Sequence, residues 1–81
     1  MPRKLSTLED IKFVLNKFNE IPTPELLAYR YNLDVYDVFT IIFNYRMSFK
    51  DGSQMTNKEL QKLLQERPAT FKDRNSNLSI A

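Results

Sequence analysis

Apolar side chains recur with the 3.6-residue period of a helix in several separate stretches of the chain. Leu8, Ile11, Val14, Leu15 and Phe18 form one such stripe, which predicts a helix over 7–20. Ser6 and Glu9 stand three positions apart at its start. They predict a capping box, in which a hydroxyl and a carboxylate serve each other's backbone amides. Ile21, Pro22, Thr23 and Pro24 break the pattern. Thr23 suits an N-cap and Pro24 the first helical position, where a missing N–H leaves nothing unpaired. A second helix follows over 24–31. Asn32 tolerates the left-handed conformation common at helix ends, and Asp34 can cap a third helix over 35–48. Lys50, Asp51, Gly52 and Ser53 read as a turn. Thr56 and Glu59 make a second capping box ahead of Leu60, Leu63 and Leu64, which predict a fourth helix over 57–66. Pro68 cannot sit inside that helix but can open another. Ala69 to Leu78 then reads as a short fifth helix with Phe71 and Leu78 on its apolar side. No segment reads as a strand, so the expected class is all-α with four to five short helices.

The junction of the second and third helices has specific chemistry. A tight helical pair needs a small residue where the helices touch and, four positions on, a residue tolerant of positive φ. Ala28 and Asn32 fill these places. Leu33, Val38 and Ile41 supply the inner apolar positions, backed by Leu27 and Tyr31. Over 24–43 the chain resembles the helix-turn-helix of DNA-binding regulators, with the first helix as the supporting third. The resemblance implies that Val35, Tyr36, Phe39, Thr40 and Phe43 face DNA. Those residue types do not suit it. Base edges and phosphates favour Arg, Lys, Asn and Gln, and Asp34 and Asp37 would repel phosphates. A helix apolar all round is normally covered all round, so the third helix is expected to have a second neighbour later in the chain.

That neighbour is expected in the segment 56–80, which repeats the outline of the first pair. Leu60, Leu63 and Leu64 are its inner face, and residues 65–67 its turn. Pro68 and Phe71 open its second helix, and Arg74 and Leu78 follow at helical spacing. It resembles the short helix-turn-helix units of bacteriophage and SANT/Myb-like proteins at Glu59, Leu60, Leu63 or Leu64, Pro68, Thr70, Phe71, Arg74 and Leu78. It departs from them at Gln61 (for a small residue), Gln65 (for the turn glycine) and Arg67 (for the capping serine). The two units align at an offset of 33, pairing Leu27 with Leu60, Asn32 with Gln65, Val38 with Phe71 and Asn44 with Asn77. The expected organisation is one small domain: a flexible basic arm over 1–6, a three-helix unit over 7–48, and a second, overlapping helix-turn-helix unit over 56–78. The third helix then serves both units. Its aromatic face of Phe39, Phe43 and Tyr36 lies under the fourth and fifth helices and reads no DNA.

Composition narrows the chemistry. The 81 residues suffice for one small core and not for two. There is no cysteine and no histidine, which removes disulfides, thiolate metal sites and the commonest general base. Gly52 is the only glycine, so no glycine-rich phosphate loop exists. No enzyme, cofactor or metal site is expected. No apolar run approaches the ~20 residues of a membrane span, and a cytoplasmic protein of a bacterial or phage-infected cell is expected. Net charge is only +2, but it is unevenly spread. Residues 20–37 hold Glu20, Glu25, Asp34 and Asp37 against Arg30, whereas residues 67–81 hold Arg67, Lys72 and Arg74 against Asp73.

The candidate DNA-binding residues are therefore Arg67, Thr70, Lys72, Arg74 and Asn77 around the fifth helix. They are types that contact guanine edges, adenine or phosphates. Arg3 and Lys4 of the basic arm are added because such arms reach phosphates or a minor groove. The resemblance implies a phage- or plasmid-type transcriptional regulator on double-stranded DNA, acting as a homodimer. The alternative is a protein-interaction module whose acidic, aromatic surface of Asp34, Tyr36, Asp37, Phe39 and Phe43 binds a component of the transcription machinery.

Overall fold

The computed structural model of the chain describes residues 1–65. The fold is all-α. Among the described residues there are four α-helices: α1 (Leu8–Phe18), α2 (Pro24–Arg30), α3 (Val35–Ser48) and α4 (Asn57–Gln65), with a 3-10 turn at Gly52–Gln54 before α4. The predicted fifth helix, and with it the second half of the repeated unit, lies outside the described residues.

Each boundary has a local cause. α1 is capped one residue later than the spacing of Ser6 and Glu9 predicts: Thr7 accepts from the Asp10 N–H, and the Asp10 carboxylate accepts from the Thr7 N–H. The reciprocal geometry belongs to Thr7 and Asp10 because the same carboxylate also takes the Ser6 N–H and the Arg3 guanidinium, contacts an exposed Glu9 does not make. Pro24 opens α2 as predicted, but the Thr23 side chain makes no capping bond. α2 ends in a Schellman turn. Asn32 is left-handed at φ 53°, the Leu33 N–H reaches the Ala28 carbonyl at 2.8 Å, and the Asn32 N–H reaches the Tyr29 carbonyl at 3.3 Å. These bonds satisfy carbonyls a helix end would leave orphaned. Asp34 caps α3 by accepting the Asp37 N–H at 3.0 Å. Thr56 and Glu59 form the predicted box at the start of α4.

α3 is the centre of the packing, touching α1, α2 and α4, while α4 also lies on α1. The second neighbour that its apolar circumference required is thus α4, which Asn44 ties down by donating to the Leu63 carbonyl at 2.8 Å. Val38, Ile41 and Ile42 of α3 meet Ile11 and Val14 of α1, Leu27 and Ala28 of α2, and Leu60, Leu63 and Leu64 of α4 in one buried cluster.

Residues 3–6, within the stretch expected to be a flexible basic arm, lie along the fold as a strap. Arg3 forms a parallel bridge with Leu33: its N–H donates to the Asn32 carbonyl at 2.9 Å, and its carbonyl accepts the Asp34 N–H at 2.8 Å. Leu5 is buried in the core and donates its N–H to the Asp37 carboxylate at 2.9 Å. The left-handed turn leaves main-chain groups on its outer side, and the strap satisfies them. Burial of Leu5 adds the transfer of an apolar side chain from water.

Candidate nucleic-acid interface

α2 and α3 are joined by a tight turn through the left-handed Asn32, and the strap brings Arg3 and Lys4 to that turn. Both cations have carboxylate partners. The Arg3 guanidinium donates to Asp10 at 2.8 Å, and the Lys4 ammonium stands 3.5 Å from Asp34. Their side chains remain 56% and 80% exposed, so each keeps donors toward solvent. Pairs this exposed contribute little to stability. The main-chain bridge and the Ser6 and Thr7 N–H bonds to Asp10 hold the strap in register, and the ion pairs aim the side chains.

The acids of this region face inward. Asp37 is 1% exposed and accepts from Leu5. It is therefore not part of the acidic surface expected of residues 34–43, because the strap needs its oxygen inside. Burial raises the Asp10 carboxyl, but donors from Ser6, Arg3 and Thr7 outweigh it and hold the group at about 2. The Asp37 N–H, and then Lys4, hold Asp34 below its ordinary value against some burial. Asp34 and Asp37, which read as phosphate-repelling, are thus used with Asp10 as acceptors within the fold.

Of the α3 positions expected to face DNA, Val35 is exposed and Tyr36, Phe39 and Phe43 are half-buried. Thr40 is 1% exposed and donates its hydroxyl to the Tyr36 carbonyl at 2.8 Å. Thr40, whose type can bond a base edge, is thus turned inward instead. α3 packs on α1, α2 and α4. Arg67, Thr70, Lys72, Arg74 and Asn77 lie outside the described residues.

Two cations fall at the C-terminal end of α3. Arg46 lies over the Phe18 ring, 5.2 Å from its centroid. The Lys50 ammonium bonds Glu59 at 2.6 Å, and this bond, with the Thr56 N–H, brings the Glu59 carboxyl down to about 2. Lys17 sits 5.7 Å from the ring centres of both Phe13 and Tyr31, which meet edge to face. A groove of about 350 Å³ separates the strap and α1 from the end of α4. Leu5, Ile11 and Leu64 line it with Ser6, Gln61 and Gln65, and no titratable side chain among the described residues does.

Sequence reasoning missed two sets of residues. The strap anchors Leu5, Asp10 and Asp37 carried no signal, because a lone leucine in a basic arm and a second aspartate near a cap are ordinary. The exposed apolar residues Leu26, Tyr29, Met47 and Phe49 did carry one. Phe49 occupies a left-handed position, φ 58°, where helices usually end on glycine or asparagine. Among the described residues no cluster of His, Cys, Asp or Glu could hold a metal ion, and no helix is long and apolar enough to cross a membrane. No protein-family model, curated protein or solved structure matches the chain.

Proposed function

We propose that the chain is a small helix-turn-helix DNA-binding protein of the phage- or plasmid-regulator kind. The observation that carries the reading is the turn itself. Ala28 buried against Leu33, Asn32 left-handed and Asp34 capping the following helix is the arrangement that lets two short helices meet at a fixed angle. In this reading α3 supports rather than reads. Base and phosphate contacts belong to Arg67, Thr70, Lys72, Arg74 and Asn77. Arg3 and Lys4, aimed from the strap and themselves exposed, would exchange their carboxylate contacts for phosphates. Inward-facing Asp10, Asp34 and Asp37 support this reading, since they lessen the repulsion a phosphate would otherwise meet.

The test is duplex-DNA binding at two salt concentrations, with native chain and Lys72→Glu/Arg74→Glu. Phosphate-dominated binding falls steeply with salt, and the double variant is expected to bind at least about tenfold more weakly. Unchanged DNA retention in that variant defeats the proposal. A second reading, docking onto a transcription-machinery protein through Asp34, Tyr36, Phe39 and Phe43, is favoured by the partial exposure of these four side chains. It predicts a salt-insensitive complex that Tyr36→Ala abolishes without unfolding the chain.

A further inference from the structure

The groove between the strap, α1 and the end of α4 has a volume of about 350 Å³. Among the described residues its walls carry no titratable side chain: Leu5, Ile11 and Leu64 are buried, and Ser6, Gln61 and Gln65 are exposed. Gln61, Leu64 and Gln65 stand three and four positions apart, so they share one face of α4. Gln65 is also the last residue of α4, so the chain leaves that helix from the groove's own wall. A charged side chain entering the groove would lose water without gaining a partner, whereas an apolar ring carries no such cost.

The sequence beyond Gln65 supplies that ring. Over residues 66–77 Phe71 is the one large apolar side chain, set among Glu66, Arg67, Lys72, Asp73 and Arg74. It stands six positions past Gln65, a tether of up to about 20 Å when extended, which is ample to return to a wall that Gln65 itself forms. Loop closure costs more as the loop lengthens, which favours Phe71 over the later Leu78 and Ile80. An aromatic side chain takes about 150–250 Å² of its own surface out of water. The gain comes from the ring, because Leu5, Ile11 and Leu64 are already buried.

We infer that this groove is the seat of Phe71 of the same chain, on the α1 side of α4 and not against Phe39 and Phe43 of α3. The seated ring ties the segment 66–81 to the strap and to α4 at once. Leu5 and Ser6 of the groove directly follow Arg3 and Lys4. Lys72 and Arg74, beside the ring in sequence, thereby come to the same side of the fold as the strap's two exposed cations. Two sets of cations far apart along the chain then form one surface. The use of that surface rests on the DNA-binding reading; the seating of the ring does not, and it is measured without DNA, so either can fail while the other stands.

The experiment is nuclear Overhauser spectroscopy of the full chain with labelled isoleucine and leucine methyls and labelled phenylalanine rings. Cross-peaks are expected from the Phe71 ring to the methyls of Leu5, Ile11 and Leu64. Phe71→Ala is expected to shift those three methyl resonances, and Leu78→Ala to leave them in place. The native chain carries the main measurement, so the result does not depend on a variant folding. Absence of the cross-peaks overturns the inference. So do cross-peaks from Phe71 to Phe39 and Phe43 in their place, which would put the ring on α3. A sample mixed from differently labelled copies separates the remaining occupant: cross-peaks that arise only between copies overturn the inference and assign the groove to a second chain.

Discussion

Asp10 gives the sharpest test of how the strap is held. Its carboxylate accepts the Ser6 N–H at 3.1 Å, the Thr7 N–H at 3.2 Å and the Arg3 guanidinium at 2.8 Å. Together they lower its pKa from 3.8 to about 2 although burial opposes them. A pKa lower in the folded than in the unfolded chain stabilises the fold above the unfolded value and is lost as pH falls through the folded one. A shift of this size corresponds to about 2 kcal/mol. About half of that should be gone at pH ~3 and most of it at pH ~2. For a chain of this length, total stability is roughly 4–12 kcal/mol, so the loss is measurable. Asp10→Asn keeps one acceptor oxygen but sets an NH₂ among donors and removes the titration. Urea unfolding followed by helical circular dichroism, at steps from pH 6 to pH 2, should show the variant about 2 kcal/mol less stable near neutrality. The difference should close as pH falls below 4. Other acid-sensitive groups, Glu59 among them, act in both proteins and cancel. If the native and variant curves run parallel across that range, the carboxylate does not carry the strap and the reasoning fails.

Four further outcomes follow from the packing. Asp37→Ala orphans the buried Leu5 N–H and should cost about 1–3 kcal/mol in chemical denaturation; a neutral effect would return Asp37 to the surface. Ala28→Leu should cost about 1–3 kcal/mol, because the Ala28 methyl is 2% exposed where α2 meets the turn; an unchanged melting temperature would mean a looser junction. Leu5→Ala should cost about 2–4 kcal/mol by emptying its buried site, and should raise the amide exchange of Asp34, whose N–H the strap covers. Phe49→Gly should raise stability by up to about 1 kcal/mol in thermal unfolding; a loss would show that the ring is held within the fold.

Local rules were enough for the helices. The stripes at 8–18 and 60–64, the proline at 24, the asparagine at 32 and the cap at 34 act over one or two turns, and α2, α3 and α4 begin where those residues predict. The small Ala28 opposite a left-handed Asn32 was legible for the same reason: such a turn is specified by its own few residues. The apolar circumference of α3 also announced a second neighbour within residues 56–80, and α4 is such a neighbour. Only the tertiary structure decided what the charges do. Asp34 and Asp37 read as part of an acidic surface when counted along the chain. Their carboxylates instead meet a strap from residues 3–6, up to 32 positions away. Spacing cannot announce such a contact, because it depends on where the α2–α3 turn leaves its unpaired main-chain groups. Exposure is decided in the same way. Tyr29, Met47 and Phe49 resemble core residues by type, and they lie outside because the small core is already filled by Leu27, Val38, Ile41 and the leucines of α4.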